Sequence, residues 1–223
     1  MLLEKGKLDW KKEKLRVLKF NEALREKMRL KRGFFNQPTL KIAKLLLGKS
    51  LVRQIGKKRL VGQIIETEAY VGPDDKASHA SFGKTNRCEP MYGKAGIAYV
   101  YLIYGMYWML NVVTEKEGRP CAVLIRALEP ENTEALKGTE ALKELRKLGS
   151  GPGKLTRWMG VDGSFNGEDL VVSKKLWVEA QCLQKNSAIK IVAAKRIGVE
   201  YAGVWRDKKW RFYIKDNPLV SRK

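Results

Sequence analysis

The sequence predicts one mixed α+β domain. Stretches of strand length rich in Val, Ile and Tyr succeed one another across short turns at about residues 51–68, 97–113 and 120–128. Helical periodicity is confined to the segments before and after them. No low-complexity linker divides the 223 residues, a length that suits one well-filled domain.

Residues 1–32 stand apart as a basic helical extension, with twelve Lys and Arg against five Asp and Glu. Leu15, Leu18, Leu24 and Met28 recur at roughly helical spacing behind Asp9, a candidate N-cap. Such a segment reads either as a solvated amphipathic helix packed on the domain or as a phosphate-binding arm. The domain itself is expected over residues 33–223.

Asn36-Gln37-Pro38 opens a helix with Leu40, Ala43, Leu46 and Leu47 on its apolar side, ended by Gly48. Leu51 to Glu68 reads as a hairpin turned at Gly56-Lys57-Lys58. Alternation along its second arm puts Ile64, Glu66, Glu68 and Tyr70 on one face. Pro, Gly, Asp, Ser and Asn make residues 72–92 a loop. Strands follow at 97–103, 106–113 and 120–128, then a helix at 131–148 in which Glu134, Leu136 and Lys137 are echoed by Glu140, Leu142 and Lys143. Ser150-Gly151-Pro152-Gly153-Lys154 opens a short helix, and weaker strands fill 188–194 and 210–214.

Composition narrows the function. The 45 Lys and Arg against 24 Asp and Glu leave a formal charge of +21, which attracts nucleic acid or an anionic membrane. An ion-pair-rich surface would raise both signs together. Cys88, Cys121 and Cys182 are odd in number and widely spaced, and there is one histidine. A zinc site is therefore not expected and a reduced, cytoplasmic setting is. Met1-Leu2-Leu3 runs straight into charge, so no secretory leader is expected. The apolar run from Ile97 to Val113 contains four tyrosines, a Gly and Asn111, and reads as two strands rather than a membrane span. A peripheral membrane anchor through the basic extension remains a weaker alternative.

Several residues point to chemistry. Glu66 and Glu68, two apart on a strand, share a face at about 7 Å. If both are buried they repel, leaving one as a base and the other neutral or salt-bridged. Period two does not say which is the base, and exposed carboxylates on a polar face are the plain alternative. His79 is either a structural histidine or a partner for a phosphate or purine. Tyr99 and Tyr101 share a strand face. Tyr104-Gly105 falls at a reversal, so the Tyr104 ring projects from a tip where it cannot bury itself. An aromatic there reads as a wedge that inserts between base steps and holds a base out of the duplex. Core packing accounts for Tyr107 and Trp108. Arg126, at the end of a buried strand, needs a carboxylate or phosphate partner. Ser150 to Lys154 resembles a phosphate-cradling helix start without the full P-loop spacing.

These motifs, taken together and in order, resemble the alkyladenine (3-methyladenine) DNA glycosylase family. The matching segments are Phe35-Asn36-Gln37-Pro38-Thr39, Glu66-Thr67-Glu68-Ala69-Tyr70, Gly72-Pro73-Asp74 and His79. They continue through Tyr99 to Tyr107, Asn111, Arg126-Ala127-Leu128-Glu129-Pro130 and Gly151 to Leu155. The resemblance implies a curved antiparallel sheet flanked by helices without a helix-hairpin-helix, and a monofunctional enzyme with no metal or cofactor. It implies a probe of double-stranded DNA for damaged purines, acting as a monomer. Glu68 matches the general base and Arg126 the residue that helps hold the water. Tyr70, His79, Tyr99 and Tyr101 match the base pocket, and Asn111 the amide that crowds guanine. Tyr104 matches the intercalating residue, and Arg87 and Lys154 are taken as phosphate contacts. Where the family carries Thr-Pro-Arg-Asn this chain has Thr85-Asn86-Arg87-Cys88, and Trp108 and Leu110 flank Asn111 in place of smaller or polar residues. The rival class is a non-catalytic nucleic-acid-binding module whose tyrosines stack on single-stranded bases.

Overall fold

The protein was analysed as a computed structural model, which describes residues 28–131, 138–180 and 189–222, with 10, 12–14 and 16 besides. The expected helix through Leu15, Leu18 and Leu24 falls outside these residues, as do Cys182 and the Glu134-Leu136-Lys137 part of the later helix.

Eight strands form one antiparallel sheet: β1 (Ser50–Ile55), β2 (Lys58–Val71), β3 (Ala98–Ile103), β4 (Tyr107–Val113), β5 (Cys121–Pro130), β6 (Leu176–Glu179), β7 (Ile191–Ala194) and β8 (Arg211–Ile214). The order runs β3-β4-β5-β2-β1-β6, with the β7–β8 hairpin attached to β2. Among the described residues, helices α1 (Arg32–Phe35), α2 (Thr39–Leu45), α3 (Gly138–Gly149) and α4 (Pro152–Met159) accompany it. The α+β expectation is met. Among the described residues no helix is long and apolar enough to cross a membrane.

Pro38 stands at the N-cap of α2, and Ile42 and Ala43 bury its apolar side. A left-handed Gly48, φ 82°, redirects the chain into β1. The β1–β2 hairpin closes at Gly56-Lys57, since Ile55 pairs with Lys58. The main core lies between the sheet and α2 and α4, around Phe35, Leu46, Ile64, Ile125, Leu155 and Phe212.

One expectation is corrected. Ile64 does not share a face with Glu66, Glu68 and Tyr70. It packs in the main core with Ala69, on the side where Thr67 Oγ1 donates to the Ala43 carbonyl. The pairing of β2 with β5 passes from Ile64↔Leu128 to Glu66↔Ala127 to Thr67↔Ile125. Ile65 and Arg126 are thus left without an opposite residue, and a bulge of this kind reverses the side-chain alternation. At the same place β2 parts from β1 after Gln63 and takes up β8 at Glu66.

Candidate active site

Glu66 and Glu68 are both fully buried at this irregularity. Glu68 Oε2 accepts hydrogen bonds from the Tyr70 hydroxyl at 2.9 Å and from Arg126 Nη1 at 3.3 Å. Its Oε1 accepts from the Ile197 backbone N–H at 2.8 Å. Glu66 is held by other groups: Arg211 Nη1 donates to Oε1 at 2.8 Å, and the Ser221 backbone N–H to Oε2 at 2.8 Å. Arg126 Nε lies 3.5 Å from Glu66 Oε1, so this guanidinium bridges the two acids. Two buried carboxylates are tolerable because two nearly buried guanidiniums face them. Burial opposes the charge on Arg126, yet Glu68 and Glu66 outweigh it and push its pKa upward.

The arrangement separates the acids. Both oxygens of Glu66 are taken by β8 and the C-terminal segment. Glu68 is joined to Tyr70, which lines the neighbouring cleft.

That small cleft is lined by Tyr70, His79, Met91, Tyr99, Tyr101 and Asn111. The His79 and Tyr101 rings meet edge to face with centroids 4.6 Å apart, and Tyr99 lies 5.2 Å from Tyr101. Burial, and then the Arg87 cation, lower the His79 pKa to about 4, so the imidazole is neutral near pH 7. Burial also holds the Tyr99 phenol well above its ordinary range. The Tyr99 hydroxyl and His79 Nδ1 share a hydrogen bond of 2.7 Å, whose direction is set by the imidazole tautomer. Burial first, then Glu68, raise Tyr70, which keeps the proton it donates to the carboxylate. Burial pushes Tyr101 up to about 12. Asn111 Nδ2 donates to the Tyr99 carbonyl at 3.1 Å, fixing its amide in the cleft wall.

At the tip of the β3–β4 hairpin, Ile103 pairs with Tyr107, so the connection is three residues and not the two-residue turn expected. Tyr104 (φ 53°) and Gly105 (φ 67°) both take left-handed backbone, the signs of a type I′ turn. Gly accepts this freely, whereas a bulky residue there is strained. The Tyr104 ring is 80% exposed. The hairpin base is docked on α4: a Cβ on Gly153 would fall 2.7 Å from the Tyr107 ring.

An aromatic cleft, a buried carboxylate at its edge and an exposed tyrosine on a strained tip thus lie in one molecule. Residues 33–218 match the family described as methylpurine-DNA glycosylase. The chain belongs to that family. Similar curated proteins bear the provisional name 3-methyladenine DNA glycosylase. That of Methanocella arvoryzae is 49% identical over 201 residues, covering 87% of this chain and 96% of its own. That of Clostridium tetani is 47% identical over 206 residues, covering 88% and 100%. That of Natranaerobius thermophilus is 45% identical over 198 residues, covering 87% and 99%. The resemblance read from the motifs is borne out, and as a family member the chain is a DNA glycosylase, a hydrolase of alkylated-base repair.

In this methylpurine-DNA glycosylase family member, Glu68, Arg126, Tyr70, His79, Tyr99, Tyr101 and Asn111 come together around the cleft. Arg87 borders it: Nη2 donates to the Leu102 carbonyl at 2.9 Å, and its guanidinium lies 5.1 Å from the Tyr101 ring centre. Lys154 does not line the cleft; it lies on α4 with Nζ 3.4 Å from the Arg146 carbonyl. Cys88, at the departure from the family motif, is buried and closes a tight turn, accepting from the Thr85 N–H and donating to the Gly83 carbonyl. Trp108 packs over Gly163 and against the main core. Among the described residues no three His, Cys, Asp or Glu side chains gather as a metal site.

Sequence reasoning missed four residues that build the centre: Asp75, Arg196, Ile197 and Arg211. Arg196 and Asp75, 121 positions apart, form a fully buried bidentate pair at 2.5 and 2.8 Å. Asp75, beside Asp74 in a turn-rich loop, and Arg196, beside Lys195, carried no local signal of each other.

Proposed function

We propose that the protein excises alkylated purines such as 3-methyladenine and 7-methylguanine, and also hypoxanthine, from duplex DNA with a water activated by Glu68. The observation that carries this reading is the carboxylate of Glu68, buried and bound to Tyr70 at the edge of the aromatic cleft. The family membership supports the reaction class.

Lys and Arg bring the +21 chain to the phosphates, with Arg87 and Lys154 among the contacts. Tyr104 enters the base stack and the target nucleotide swings into the cleft. There Tyr70, His79 and Tyr101 hold the purine by stacking, and the Asn111 amide disfavours the 2-amino group of normal guanine. Glu68 takes a proton from water, whose oxygen bonds to C1′ as the C1′–N bond breaks. Arg126 holds the water and keeps the carboxylate charged. The bonding electron pair leaves with the base. A cationic 3-methyladenine departs neutral, and it also stacks favourably on electron-rich rings while bound. The enzyme works as a monomer inside the cell, and the basic segment 1–32 adds phosphate affinity.

The decisive experiment incubates the protein with a duplex containing hypoxanthine or an alkylated purine, then cleaves abasic sites with alkali. Strand breaks at the lesion are expected. Tight binding without breaks would mean a nucleic-acid-binding module.

A further inference from the structure

Beside the base cleft lies a second, unassigned depression. Phe82, 79% exposed, ends the short 3-10 turn His79–Phe82. Tyr201 and Val204, 68% and 76% exposed, belong to the 3-10 stretch Glu200–Asp207, which is broken at Gly203 (φ 56°, ψ −132°). With Lys76 and Trp205 these side chains line an open groove. Single exposed apolar side chains are ordinary, but a cluster marks a binding surface.

The groove and the cleft are joined by one hydrogen bond and by neighbouring residues of the 76–82 segment. Tyr201 donates its hydroxyl to the Ala77 carbonyl at 3.4 Å, and Ala77 lines the base cleft. The chemistry favours a polyanion over a protein partner. The chain carries +21, Lys76 stands in the groove, and Lys208 lies 5.7 Å from the Trp205 ring centre.

We propose that this groove receives the nucleotide adjoining the extruded one on the lesion-bearing strand, its base against Tyr201 and Phe82 and its phosphate at Lys76. This rests on the glycosylase reading of the adjacent cleft. An aromatic wedge kinks the duplex and unstacks the step beside it. The neighbouring base then presents an apolar face to water, and a ring next to the cleft recaptures it. Stacking on an aromatic side chain is tolerant of base identity, so the groove holds any neighbour and adds affinity without adding sequence preference.

The test uses hypoxanthine duplexes with 2-aminopurine placed next to the lesion, on either side in the same strand or across from it in the other. Complexes are held uncleaved by Glu68→Gln. Quenching of 2-aminopurine emission at one same-strand neighbour is expected. Tyr201→Ser with Phe82→Ser should abolish the quench and weaken lesion binding about 10-fold, with thermal stability unchanged because both rings are exposed. The proposal falls if the quench survives both substitutions or appears only in the opposite strand. It also falls if the substitutions leave DNA kinetics intact and dissolve a self-associated form instead. Wild type that makes no abasic sites would remove the glycosylase reading beneath it. Wild type and doubly substituted enzyme that cut and bind equally would remove the groove alone.

Discussion

Ile197 donates its backbone N–H to Glu68 Oε1 at 2.8 Å, tying the C-terminal part of the chain to the last third of β2. The preceding residue fixes this amide in place. Arg196 is buried, paired with both Asp75 oxygens and bonded to the carbonyls of Ala69 and Trp205. Its guanidinium also lies 4.9 Å from the Tyr70 ring centre and 5.1 Å from that of Trp210. One buried cation thus braces both the carboxylate and a wall of the cleft. Asp75→Ala should lower stability by about 3–5 kcal/mol, because the guanidinium is left buried without its partner. Urea unfolding midpoints read this directly; a loss within the range of ordinary surface substitutions would show that the pair contributes little.

Glu68→Gln should keep lesion binding and lower single-turnover excision by about 10²–10⁴-fold, the usual contribution of a positioned base. Glu66→Gln should act mainly on stability, since its hydrogen-bond donors are Arg211 and the Ser221 amide and Arg126 lies farther off at 3.5 Å. Normal cutting by the Glu68 variant together with an inactive, fully folded Glu66 variant would reverse the assignment.

Tyr104 separates function from stability. Its left-handed backbone favours glycine, so Tyr104→Gly should be as stable as wild type or more so, by about 0.5–1 kcal/mol. The same substitution, like Tyr104→Ala, should weaken lesion capture and excision together. Melting temperature and single-turnover rates measure the two effects. Undiminished capture by either variant would remove the wedge role.

His79 gives the folded state a pH dependence. The unfolded chain binds a proton there below about pH 6.5, the folded protein only below about 4. Between those values the unfolded state holds more protons, so this contribution to stability is full above pH 6.5 and is lost as pH falls toward 4. Unfolding midpoints at pH 7 and pH 5 should differ more for wild type than for His79→Gln. Equal differences would mean that the imidazole titrates normally.

Much of the site was legible along the chain because its parts are local. Alternation placed Glu66, Glu68 and Tyr70 on one face, and Tyr99 with Tyr101 on another strand. Tyr104-Gly105 marked a tip because the two apolar runs around it had to reverse. Ile64 broke the same rule of alternation, since a bulge costs one residue of register and leaves no mark in hydrophobicity.

By itself the sequence determined the fold class, the basic surface and the roster of acids and aromatics, because composition and short-period patterning depend only on neighbours in the chain. Only the tertiary structure gives Glu66 and Glu68 their different surroundings. Arg211, Ile197 and Ser221, which surround them, arrive from more than a hundred residues away. Burial makes such distant partners obligatory, since a carboxylate taken from water must find its hydrogen bonds within the protein.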